Sequence, residues 1–292
     1  MTSGNDDEIT RRKKLTFAQA EGAEPLPSQL KRTDVSQQLR AVLWSYIHSE
    51  LERTSRRDMY AYIGDPWKRA LRDVHVYFFH QPVDEFETLF RDASDAVKTF
   101  LMKADWVKFY GWIEHLLRVK PTDNFADRIH KILIYCRSPY RVVDKVVLCP
   151  VGSDEEAATV GRAFSDLKQA GLTGGREHLK LAAQELSAGH FADSVRESMH
   201  AVESVVRMLE SSGDFSKALA KLETKTNMHS ALKRGFTAIY GFTSDEQGIR
   251  HPLLEKEAPQ VDEADAIFMI SACSAFLSYL INKARTAGLL NT

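Results

Sequence analysis

The chain has 292 residues, 43% of them hydrophobic and 27% charged, with a formal net charge of −1. That balance is ordinary for a folded globular protein and excludes a disordered, a collagen-like or a globally basic polyanion-binding sequence. Cys136, Cys149 and Cys273 form no C-x-x-C pair, which argues against a disulfide framework or a cysteine zinc site and fits a reducing cytoplasm.

Residues 1–13 are polar, with acids at 6–8, and read as a disordered tail without a secretory leader. Pro25 and Pro27 each lack a backbone donor, so the following stretch is expected to be extended. Asp34 or Ser36 then caps a helix to about Leu51, with Val35, Leu39, Val42, Leu43, Tyr46 and Ile47 at amphipathic spacing. Asp65-Pro66, a carboxylate cap followed by proline at the first position, starts a second helix through Trp67, Leu71, Val74 and Phe78 to about His80. Further helices are expected near 84–102, 105–118 and 124–137, with Pro82 and Pro121 between them. The four tryptophans fall at helical spacing among apolar residues, so core packing is expected of them rather than base stacking.

The pattern changes at Tyr140-Arg-Val-Val and Val146-Val-Leu-Cys-Pro. These β-branched runs flank Asp144-Lys145 and predict a small hairpin near 140–150. Ser153-Asp-Glu-Glu is a capping-box start for a helix to about Ala170. Gly171-Leu-Thr-Gly-Gly reads as a hinge. Helices are then expected near 175–187, 190–210, 214–223, 228–241 and 261–286. The apolar run Ala266–Ile281 contains Ser271, Ser274 and Ser278. It falls short of the roughly 20 apolar residues of a membrane span, so it reads as a buried helix, and no membrane association is expected. Its small residues also offer a surface for a second copy, with packing inside the chain as the alternative.

Two places could carry chemistry. Arg196, His200, Glu203 and Arg207 recur at spacings of 4, 3 and 4 and share one helix face. This is either a solvated face with local ion pairs or the polar wall of a cleft in which Glu203 orients an imidazole or guanidinium. In G-I-R-H-P-L-L-E (248–255), Arg250 and His251 precede Pro252, which disfavours helix at His251. An exposed loop is the plain reading. The chemical reading is phosphodiester cleavage in RNA, with imidazole moving protons and guanidinium gripping phosphate oxygens. The sequence has no G-x-x-x-x-G-K-[ST], H-E-x-x-H or G-x-S-x-G, and no histidine pair at metal-ligand spacing. Neither a cofactor nor a metal is expected, and His178, His190 and the other scattered histidines read as structural or surface residues.

L-T-F-A-Q-A-E-G-A-E-P-L-P-S-Q-L, L-R-A-V-L-W, Y-R-V-V and V-G-S-D-E-E together resemble the N-terminal domain of AbiJ-type abortive-infection proteins. S-V-R-E-S-M-H-A-V-E-S-V, G-I-R-H-P-L-L and V-D-E-A-D-A-I-F-M-I-S-A-C-S-A-F resemble a HEPN domain. The resemblance implies a mainly α protein: an AbiJ-like sensor or regulatory domain over 14–165 with the small hairpin, then a HEPN-like helical bundle over 172–288. It implies a metal-independent endoribonuclease of a bacterial anti-phage or toxin system, working at a homodimer site. Arg250 and His251 would be catalytic, with Arg196, His200 and Glu203 supporting them or binding RNA. A phage-derived trigger or an antitoxin would be further partners. The alternative is a non-catalytic module for dimerisation, RNA or partner binding. The usual HEPN motif, Arg followed by a polar residue and three to five others before His, is absent from the C-terminal half. Its formal match, Arg69-x5-His75, lies in the other half and reads as chance.

Overall fold

The computed structural model describes residues 23, 31–57, 61–151, 153–211, 213–245 and 261–290. The fold is mainly α with a small β-hairpin, as the sequence predicts. Helix α1 (Gln37–Thr54) starts where Ser36 Oγ accepts the Leu39 amide at 3.1 Å. Helix α2 (Trp67–Asp73) runs into a π-helical turn, Val74–Phe78, rather than continuing as one α-helix. Its cap residue is Pro66, and no side chain closes its N-terminus, so the capping role expected of Asp65 is not taken. Asp65 instead lies 3.5 Å from Arg69. A short ladder pairs β1 (Arg56–Arg57) with β2 (Ala61–Tyr62). Helices α3 (Phe90–Lys103), α4 (Trp106–Val119) and α5 (Phe125–Tyr135) complete the first half, and the stretch expected to begin α3 is a 3-10 turn, Val83–Glu85.

Strands β3 (Tyr140–Val143) and β4 (Val147–Pro150) form the predicted hairpin. Asp144 and Lys145 turn it with φ of 48° and 64°, a left-handed conformation that aspartate tolerates. Two hydrophobic cores meet at this hairpin. Tyr140 and Leu148 pack with α1 to α5, whereas Val143, Val147 and Cys149 pack with the later helices. Along β4, neighbours on opposite faces of the strand thus serve different cores. Trp67 and Trp112 are buried in the first core, and Trp44 and Trp106 pack on its edge.

The second core is built by α6 (Asp154–Gln169), α7 (Thr173–Ala188), α8 (Phe191–Leu209), α9 (Phe215–Thr226), α10 (Ser230–Asp245) and α11 (Glu263–Thr286). Helix α6 opens with the predicted capping box: Ser153 Oγ accepts from Glu156 N and Glu156 Oε2 from Ser153 N, both at 3.1 Å. Helix α11 is long and apolar enough to cross a membrane, but eleven of its residues are buried within the protein, where it packs on α6, α7, α8 and α9. Ser274 and Ser278 belong to that buried face, so these small residues serve packing inside the chain.

The two cores are stapled by Arg32. Its guanidinium lies 2.9 Å from Glu263 at the start of α11 and donates to the Ser187 carbonyl at 3.4 Å. It also lies 5.4 Å from the ring centres of Trp106 and Phe191, one from each half. Arg176 of α7 adds a second tie, with Nη2 2.7 and 2.6 Å from the two Asp144 oxygens at the hairpin turn.

Candidate functional site

Helices α7 and α8 form an antiparallel hairpin turned by Gly189, whose φ of 85° suits a residue without Cβ. Their axes approach closely because the facing residues are small. Ser194 Oγ donates to the Ala182 carbonyl at 2.8 Å. A Cβ on Gly174 would lie 2.7 Å from Ser204 Oγ, and one on Gly175 would lie 2.7 Å from Val205 Cγ2. The glycine cluster expected to be a hinge is therefore largely a contact surface. Gly171 makes the turn with φ 69°, while Gly174 and Gly175 lie inside the first turn of α7.

That close approach puts His178 of α7 onto the polar face of α8. His178 Nδ1 lies 2.7 Å from Glu197 Oε2. His200 Nδ1 lies 3.5 Å from the other oxygen of the same carboxylate. The two imidazoles meet edge to face with centroids 5.3 Å apart. Arg196 Nε is 3.6 Å from Glu197 Oε1, and its Nη1 is 2.7 Å from Asp193. All three members of the His178, Glu197 and His200 group are partly accessible. The arrangement can bind an anion through Arg196, move protons through two imidazoles, or hold a metal ion between them.

The polar stripe expected on α8 thus exists, and the structure brings Arg196 and His200 together around Glu197. Glu197 meets both imidazoles, a role the sequence reading gave to Glu203. Glu203 is half-buried one turn beyond His200 on the same helix. Arg250 and His251 lie outside the described residues, as does the segment that carries them. Helix α10, which precedes that segment, packs on α8 and α9. Sequence reasoning missed His178 and Glu197. The spacing Glu197-x-x-His200 was available as a signal, but His178 comes from another helix and no spacing rule reaches it. In the first half, Arg69 pairs with Asp65 and His75 Nε2 bonds the Pro82 carbonyl at 2.8 Å, so each residue of the chance motif has its own local partner.

The first core carries a cavity of about 610 Å³. Phe79, Phe86, Phe100 and Trp112 line it together with Glu85 and Asp95.

Residues 15–166 match the model of the AbiJ N-terminal domain 4. The chain belongs to that family. The AbiJ-type domain ties it to an abortive-infection system. The matched range takes in the first core, the β3–β4 hairpin and most of α6, although α6 packs in the second core. No curated protein and no solved structure matches the chain. The match does not extend over the second-core helices that follow α6.

Proposed function

We propose that this AbiJ-type protein is an endoribonuclease of a bacterial anti-phage system, acting from the cytoplasm. The N-terminal unit senses or restrains, and the C-terminal bundle, a HEPN-like domain, cuts RNA. The observation that carries the reading is the gathering of Arg196, His178 and His200 around Glu197 on an accessible face. Cleavage needs a base to take the 2′-OH proton, after which O2′ bonds to phosphorus. It needs an acid to protonate the 5′-oxygen as its bond to phosphorus breaks. Imidazoles serve both steps near neutral pH. A guanidinium stabilises the charge that builds on the phosphorus oxygens. His251 is assigned the acid or base role and Arg250 the phosphate-stabilising role. Arg196, His200 and Glu203 position them or hold neighbouring phosphates.

The bundle acts as a homodimer in this reading. Support comes from the outward face of α11, where Phe268 and Ala275 are exposed, and from the apolar groove that Ala275 shares with Leu232 of α10. The cavity walled by Phe86 and Phe100 is the place for a phage-derived trigger, and an antitoxin is the other candidate partner. The second reading is a non-catalytic module that binds RNA or a partner. The short Arg196–Asp193 pair favours it, because that carboxylate already engages the guanidinium. Cleavage of RNA by the purified chain, with the Arg250 and His251 variants beside it, separates the two.

A further inference from the structure

Two histidines and a glutamate from adjoining helices present their ligand atoms within 4.8 Å of one another. We infer that His178, Glu197 and His200 bind one zinc-class divalent ion that clamps α7 to α8. The inference does not rest on RNA cleavage, and its test is read in metal binding.

The geometry needs little adjustment. Zinc bonds imidazole nitrogen and carboxylate oxygen at about 2.0–2.2 Å, so neighbouring ligands of a tetrahedral ion lie roughly 3.3 Å apart. The nitrogen-to-oxygen separations, 2.7 Å to Oε2 and 3.5 Å to Oε1 of the one carboxylate, bracket that value, and the three ligand atoms lie within 4.8 Å of one another. The edge-to-face rings keep both Nδ1 atoms turned toward one carboxylate. The helices supply a rigid frame: Gly174 and Gly175 hold α7 against α8 one turn before His178, and Glu197 and His200 share a face at i, i+3. Two imidazoles and one carboxylate suit zinc and its transition-metal neighbours, whereas magnesium and calcium take all-oxygen sets. Three protein ligands at a partly accessible place leave a fourth position for water, as in open zinc sites.

The charges are compatible. Glu197 contributes one negative charge to the ion. Arg196 lies 3.6 Å from that carboxylate but is turned by its Nη1 to Asp193, which offsets its repulsion. A second group, Glu185, His190 and Asp193, offers one imidazole and two carboxylates, and there His190 is largely exposed and Asp193 is engaged by Arg196. It therefore serves as the control.

The experiment is calorimetric titration of zinc chloride into the full chain after stripping with chelator. One ion per chain is expected. His178→Ala and His200→Ala should each weaken binding by about tenfold or more, with His190→Ala unchanged and magnesium chloride giving no competition. An absence of zinc binding, or a loss that follows His190→Ala instead, would overturn the inference. Cobalt loading of the wild-type chain removes dependence on variants that fail to fold. A visible absorption band of a tetrahedral nitrogen and oxygen site, bleached by zinc, is expected. A spectrum of octahedral aquo-cobalt alone would overturn the site.

Discussion

His178 Nδ1 lies 2.7 Å from Glu197 Oε2, across a helix pair and 19 residues apart in sequence. The contact joins α7 to α8 through groups that remain partly solvated. Exposed and half-exposed ion pairs contribute only about 0–1 kcal/mol. His178→Ala is therefore expected to cost less than about 1 kcal/mol in urea denaturation. A loss of several kcal/mol would identify the cluster as a structural tie, with no need of a ligand to explain it.

Two glycine substitutions should move stability in opposite directions. Gly175→Ala puts a Cβ 2.7 Å from Val205 Cγ2 and 3.1 Å from Leu167 Cδ2. Forcing the buried α7–α8 contact apart is expected to cost about 1–3 kcal/mol. Gly161 is inside α6 and a Cβ there meets nothing within 4 Å. Gly161→Ala should stabilise by about 0.5–1 kcal/mol through helix propensity. Thermal melts of both variants check the pair, and a neutral Gly175→Ala would show that the helices can separate freely.

Arg32 couples the two cores, so its loss should be felt by both. Arg32→Ala removes the Glu263 pair and the contacts with Trp106 and Phe191. Because Glu263 is more than a third exposed, the expected cost is modest, about 1–3 kcal/mol in total. The variant should also broaden the unfolding transition as the halves melt less cooperatively. An unchanged, single sharp transition would remove Arg32 as the staple.

Burial makes the three thiols inert. It pushes Cys149 and Cys273 up to about 12 and Cys136 up to about 11. In the unfolded chain a thiol ionises near about pH 8.5. As pH rises, the unfolded state loses these protons first. The stabilisation is therefore fully present below about pH 8.5 and is lost as pH climbs toward the folded values. Iodoacetamide at pH 8 should leave the native protein unmodified and label all three cysteines in guanidinium. The melting temperature should also fall between pH 8 and 10. Rapid native labelling of Cys149 or Cys273 would contradict the packing of the second core.

Much of the fold was legible because helix periodicity and caps are local. Ser36 and the Ser153–Glu156 box start their helices as expected, and Asp144-Lys145 turns the hairpin. The π-helical turn at Val74–Phe78 was not legible, since Trp67 to Phe78 keeps helical apolar spacing throughout. Gly174 and Gly175 form a contact surface rather than the hinge their spacing suggests, because their role depends on Ser204 and Val205, about 30 residues away. The candidate site was half legible for the same reason. Arg196 and His200 announce themselves on one face of α8, whereas the His178 contact exists only once α7 folds back.

The proposed RNA recognition by the α8 face carries a salt signature. Arg196→Ala should weaken RNA binding and lower the slope of log affinity against log salt by about 1. Binding that keeps the wild-type slope would remove Arg196 from the RNA contact.

The most direct test of the central claim is incubation of total RNA and tRNA with the purified protein in EDTA. Wild type runs beside Arg250→Ala, His251→Ala and His200→Ala. Chelation keeps the zinc question out of this reaction. RNA fragments are expected with wild type, none with the Arg250 or His251 variants, and reduced cleavage with His200→Ala. Cleavage that persists in both the Arg250 and His251 variants, or intact RNA with every protein, would contradict that claim.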